Sequence, residues 1–105
     1  MYLPEIFKKF VDRHGEIADA YRKVGDLCTA AGPIDVKTQH LIQLGISIGM
    51  ASKGGVRSHA RRALEAGAAE EEVVQTVLLS ATIVGFPAMI AAYEWTEEML
   101  SAREK

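Results

Sequence analysis

The sequence predicts an all-helical bundle of about six helices. Three observations carry this reading: apolar residues recur at three- and four-residue spacing almost throughout, no segment alternates like a strand, and the breaks fall at glycine and proline. A chain of 105 residues fits a single domain, 1–105, and 49% hydrophobic with 25% charged residues is a globular composition.

Pro4 sits where the first turn of a helix tolerates proline, and Ile6, Phe7, Phe10 and Val11 follow at helical spacing. Gly15 separates this helix from a second, Glu16 to Ala31, with Ile17, Ala20, Tyr21, Val24 and Cys28 along one stripe. Cys28 on that stripe reads as an inert core thiol. "AGP" ends the helix, and Asp35 is a natural N-cap for the third, its carboxylate able to accept an orphan backbone N–H. From Leu41 to Ala51 this helix is apolar nearly all round, which predicts burial on most sides. His40, Gln43 and Ser47, at i, i+3 and i+7, form one polar stripe within it.

Gly54 and Gly55 are read as the break before a fourth helix, Val56 to Ala66, which is expected to bury Val56, His59, Ala60, Ala63 and Leu64 and to expose Arg57, Arg61, Arg62 and Glu65. Gly67 fits the residue just past its end. Glu70, Glu71 and Glu72 open the fifth helix, where negative charge suits the macrodipole, and Val73, Val74, Val77, Leu78 and Ala81 define its inward face. Gly85-Phe86-Pro87 opens the sixth, which runs into the polar "SAREK" end.

Several function classes drop out on composition. Twelve basic and 14 acidic residues are intermingled, a net charge of -2, so no electrostatic footprint for nucleic acid exists. One cysteine permits no internal disulfide, and no Cys/His cluster has metal-site spacing, so no metal and no cofactor are expected. The N-terminal residues lack a signal-peptide pattern, and cytoplasmic residence is the expectation. Val73 to Tyr93 has no charge over a membrane-spanning length, but the Gly85-Phe86-Pro87 break and Gln75, Thr76, Ser80 and Thr82 argue against a span. Six helices this apolar exceed what one small core absorbs, which predicts an obligate homo-oligomer.

Chemistry is concentrated on the third and fourth helices. His59, with Val56 and Ala63 at i-3 and i+4, points inward near a helix N-terminus; burial and the helix dipole both favour a neutral ring able to exchange a proton near neutral pH. The alternative is a buried histidine bonded to a carbonyl or to Gln43. If the two helices form a hairpin, the stripe of His40, Gln43 and Ser47 faces His59 across a small polar pocket. The amides of Gly54 and Gly55, beside Lys53 and Arg57, can hold an anion such as a carboxylate, or the glycines can simply close a turn. Ser52 and Ser58 lie near His59, but no carboxylate is placed to orient the imidazole, so neither reads as a nucleophile.

The stretch "VKTQHLIQLGISIGMASKGGVRSHARRALEAGAAEEEVVQTVLLSATIVGFPAMIAAY", above all "HARRALEAGAAEEEV" and "GFPAMIAAY", resembles the carboxymuconolactone decarboxylase family, which includes the alkylhydroperoxidase D proteins. The resemblance implies the helical bundle of that family and a homo-oligomer, trimer or hexamer. Its peroxidase branch carries Cys-x-x-Cys-x-x-x-His with a glutamate twelve residues upstream. The histidine matches His59, the cysteines fall on Ser52 and Gly55, and the glutamate falls on His40, so thiol peroxidase chemistry is excluded. The decarboxylase branch implies a cofactor-free lyase that converts gamma-carboxymuconolactone to the enol-lactone of 3-oxoadipate and carbon dioxide. In that reading His59 is the acid that reprotonates carbon, His40 orients or donates, and Gln43, Ser47, Ser52, Gly54, Gly55 and Arg57 contact a small carboxylate or lactone. The competing expectation is a non-catalytic ligand-binding or assembly protein on the same scaffold.

Overall fold

The structure is a computed structural model that describes residues 4–103. Among these the regular structure is helical: α1 (Glu5–Arg13), α2 (Gly15–Thr29), α3 (Val36–Gly49), α4 (Lys53–Glu65), α5 (Glu70–Leu79), α6 (Ala81–Val84) and α7 (Phe86–Arg103). Six are long helices and α6 is a single turn, matching the expected all-helical bundle. Two compact units divide at Pro33 and Ile34.

In the first unit α1 packs on α2, and neither helix buries a residue. Ile6, Tyr21 and Leu27 are each more than 60% exposed, so the apolar stripes that drive amphipathic helices to pack stay open. Cys28, expected in a core, is exposed for the same reason.

The second unit holds the core. Leu44 and Ile48 from α3, Val56, Ala60 and Ala63 from α4, Val73 and Val77 from α5, and Met89, Ala92, Met99 and Leu100 from α7 form one buried cluster. Alanines on α4 and α7 let those helices approach closely, and Leu44, fully enclosed, is a position where truncation to alanine costs roughly 2–5 kcal/mol.

Local chemistry fixes the element ends. The Asp35 carboxylate accepts from the Thr38 backbone N–H at 3.2 Å and from its hydroxyl at 2.7 Å, the cap read from sequence. Those bonds hold the Asp35 carboxyl below its ordinary range. Glu72 accepts from the Ala69 N–H at 2.9 Å and from Lys37 Nζ at 3.1 Å, which ties the start of α3 to the start of α5. Gly67, with φ +106°, ends α4 as expected, and Gly85, with φ +95°, separates α6 from α7.

Three expectations need correction. Residues 53–55 belong to α4, because Ser52 caps a helix that starts at Lys53 rather than Val56. The reversal lies at Met50 and Ala51 instead, with Ala51 in the left-handed region at φ +55°. Leu78 is half exposed, since α5 buries Val73 and Val77 and packs Val74 against the core, and Ile42, Ile46 and Met50 leave the outer face of α3 open. Among the described residues no helix is long and apolar enough to cross a membrane.

Thr96 of α7 is fully buried, and its hydroxyl has no hydrogen-bond partner. An enclosed, unpaired hydroxyl is costly, so Thr96→Val is expected to raise the unfolding free energy by about 1 kcal/mol in denaturant titration.

Candidate functional site

The site grows from the hairpin of α3 and α4. Ser52 N–H donates to the Ser47 carbonyl at 3.0 Å across the turn, and Ser52 Oγ accepts from the Gly55 N–H at 3.1 Å to cap α4. Gly55 sits against α3: a Cβ there would stand 2.7 Å from Ser47 Oγ and 2.9 Å from Ser52 Oγ. The glycine is thus a close approach between helices rather than a turn residue, and its amide is already engaged by Ser52. Gly54 meets nothing within 4 Å.

One helical turn beyond Gly55 on α4, His59 meets His40 of α3. The two Nδ1 atoms are 3.4 Å apart, and the ring centroids are 5.6 Å apart with a tilt of 31°. Across the hairpin, His40 and Ser47 on one helix thus oppose His59 and Gly55 on the other, while Gln43 is exposed. His59 is half-buried rather than enclosed, as is Leu64. Half-burial leaves the imidazoles reachable while removing part of their hydration.

The surroundings disfavour a positive charge on either ring. Burial is the main force that lowers the basicity of His40 and His59, and the Arg62 guanidinium lowers both further. His40 itself opposes a charge on His59. The Gln43 side chain hydrogen-bonds to His40 and favours its charged form, as does the field of Glu65.

Other sequence candidates fall elsewhere. Arg57 lies on the opposite side of α4 from His59 and reaches Glu98 of α7 at 3.9 Å. His14 stacks obliquely on Phe10, ring centroids 5.2 Å apart, in the first unit. Among the described residues no three His, Cys, Asp or Glu side chains gather as a metal site. Sequence reasoning passed over Arg62 and Glu65 as solvated charges, although the i+3 spacing of Arg62 from His59 places it on the same side of the helix and Glu65 acts on His40.

A family model described as the carboxymuconolactone decarboxylase family matches residues 15–98. The chain belongs to this family. No curated protein matches it by sequence. With Cys28 as its one cysteine this carboxymuconolactone decarboxylase family member lacks a Cys-x-x-Cys pair, and Ser52 and Gly55 stand at the positions matched to that motif above. The backbone still brings those two positions together, as the 2.9 Å from Ser52 Oγ to a Cβ at Gly55 shows, but no thiolate is there to react.

Two outcomes follow from the site geometry. Gly55→Ala is expected to cost about 1–3 kcal/mol by overpacking against Ser47, whereas Gly54→Ala is expected to gain about 0.5–1 kcal/mol; thermal and denaturant unfolding of the pair of variants checks the contrast. The second concerns pH. Folding lowers the basicity of both histidines below the ordinary value of about 6.5, so below that pH the unfolded chain binds more protons. Their stabilising contribution is present above about pH 6.5 and is lost as pH falls. Denaturation at pH 7.5 and pH 5.5 is expected to show that loss in the wild type and a smaller one in a His40→Gln, His59→Gln double variant.

Proposed function

We propose that the protein is a cofactor-free lyase of the decarboxylase type, acting on a small carboxylated lactone or ring compound. The observation that carries this reading is the contact of two half-buried imidazoles at 3.4 Å across the α3–α4 hairpin, where burial disfavours a charge on either ring.

The Nδ1–Nδ1 contact needs one proton between the two rings. In the pattern that suits a base at His59, Gln43 accepts from Nε2–H of His40, Nδ1 of His40 accepts from Nδ1–H of His59, and Nε2 of His59 is the free base. His40 then orients and His59 exchanges the proton. When the carbon–carboxylate bond breaks, its electron pair moves into the conjugated lactone carbonyl and carbon dioxide leaves. His59, having taken a proton from solvent at Nε2, gives it to the ring carbon. A low imidazole basicity makes His59 a stronger acid at that step.

The open apolar stripes of α1 and α2, and the outer face of α3, support a homo-oligomer as the working form, a trimer or hexamer. Sedimentation is expected to give a multiple of 11.4 kDa; a lone 11.4 kDa species at micromolar concentration contradicts this.

Turnover of gamma-carboxymuconolactone, followed by ultraviolet absorbance, tests the activity. The wild type is expected to react, and His59→Ala, at equal oligomeric size, to lose roughly 10²–10⁴-fold in kcat. A wild type that binds carboxylated lactones without turning any over identifies the non-catalytic binding protein instead.

A further inference from the structure

His40 and His59 meet through the same ring nitrogen. Their Nδ1 atoms stand 3.4 Å apart, which is long for a hydrogen bond. The same separation suits a metal ion. Two nitrogens held about 2.0–2.1 Å from zinc at the tetrahedral angle lie about 3.3–3.4 Å apart. At the same bond length, a right angle between ligands, as in tetragonal or octahedral sites, brings them to about 2.8–3.0 Å, and a linear pair stands about 4.0–4.2 Å apart. The bite of the pair therefore fits a tetrahedral ion.

The helices need not move to hold one. Gly55 keeps α3 and α4 close one turn away, and Leu44, Val56 and Ala60, enclosed beneath the hairpin, fix the side on which both rings leave. A slight inward tilt of each ring aims both lone pairs at one point. Gln43, accepting from Nε2–H of His40, leaves the His40 Nδ1 lone pair free, as a partner on the far nitrogen does for a ligating histidine. Ligation also requires neutral imidazole, which burial favours at both rings, and half-burial leaves room for ligands from solvent. Of the nearby charges, Arg62 opposes a cation at either ring and Glu65 favours one at His40.

We propose that His40 and His59 form an exchangeable zinc site, their Nδ1 atoms supplying two corners of a tetrahedron whose other corners are open to water or a ligand anion. Two protein donors fall short of the three or four that retain zinc, so the ion comes and goes with its concentration. The proton count of the pair does not change on binding. The proton between the rings moves from Nδ1 to Nε2 of His59, and zinc takes the place it leaves. One consequence rests on the lyase reading above: Nε2 of His59 is then no longer a base, so zinc blocks the reaction.

The test uses untagged protein freed of metal, with cobalt(II) as the first probe, because tetrahedral cobalt absorbs strongly in the visible and six-coordinate cobalt weakly. Cobalt is expected to give the strong bands, saturating at one ion per chain, and zinc to displace it. In long-range proton–nitrogen NMR correlations zinc is expected to move the His59 proton to Nε2. His40→Gln and His59→Gln, with unchanged circular dichroism, are each expected to bind roughly tenfold or more weakly, and His14→Gln to bind as the wild type does. Absence of the strong bands, a His59 tautomer that zinc leaves unchanged, or equal binding by either pair variant overturns the site. Turnover that persists at saturating zinc overturns the block. Zinc binding as expected, with no turnover of gamma-carboxymuconolactone by the metal-free wild type, leaves the zinc site standing and removes the lyase.

Discussion

The close approach of α3 and α4 at Gly55 is the constraint on which the rest of the site depends. With no Cβ at residue 55, Ser47 can lie against the α4 backbone, and the Ser52–Ser47 and Ser52–Gly55 bonds lock that end of the hairpin. The separation set there is carried along two rigid helices to the next polar pair, His40 and His59. A wider hairpin would move the rings out of hydrogen-bond reach and admit water between them. Burial would then no longer disfavour a charge on the imidazoles.

The core beneath the hairpin performs a second task. Leu44, Val56 and Ala60 are enclosed, so α3 and α4 cannot rotate their polar stripes away from one another without opening apolar surface to water. Position and chemistry are therefore linked: the residues that fold the second unit also fix which way His40 and His59 turn. Arg62 adds a positive field to the same face of α4, which further disfavours a proton on the imidazoles.

Much of this was legible in the sequence. Helical spacing gave the elements, Asp35 and Gly67 marked ends that the structure keeps, and the His40–Gln43–Ser47 stripe was a visible polar line in an apolar helix. The start of α4 was misjudged because Gly-Gly ordinarily signals a turn, while here Ser52 supplies a cap strong enough to carry the helix through both glycines and Ala51 takes the left-handed conformation. Cys28 and Leu78 were misjudged because an apolar stripe shows that a surface is suited to burial, without showing what buries it. Arg62 was missed because Arg57 lay nearer the glycines in sequence, whereas helical angle, not sequence distance, decides which guanidinium shares a face with His59. Family membership agrees with the fold and leaves the substrate to chemistry.

The most direct measurement of the central claim is the tautomeric state of the two imidazoles, read from long-range proton–nitrogen NMR correlations on uniformly nitrogen-15-labelled protein at pH 7.5. The account predicts two neutral rings, His40 with its proton on Nε2 and His59 with its proton on Nδ1, joined through their Nδ1 atoms. Both rings protonated on Nε2, or either ring charged at that pH, would contradict it.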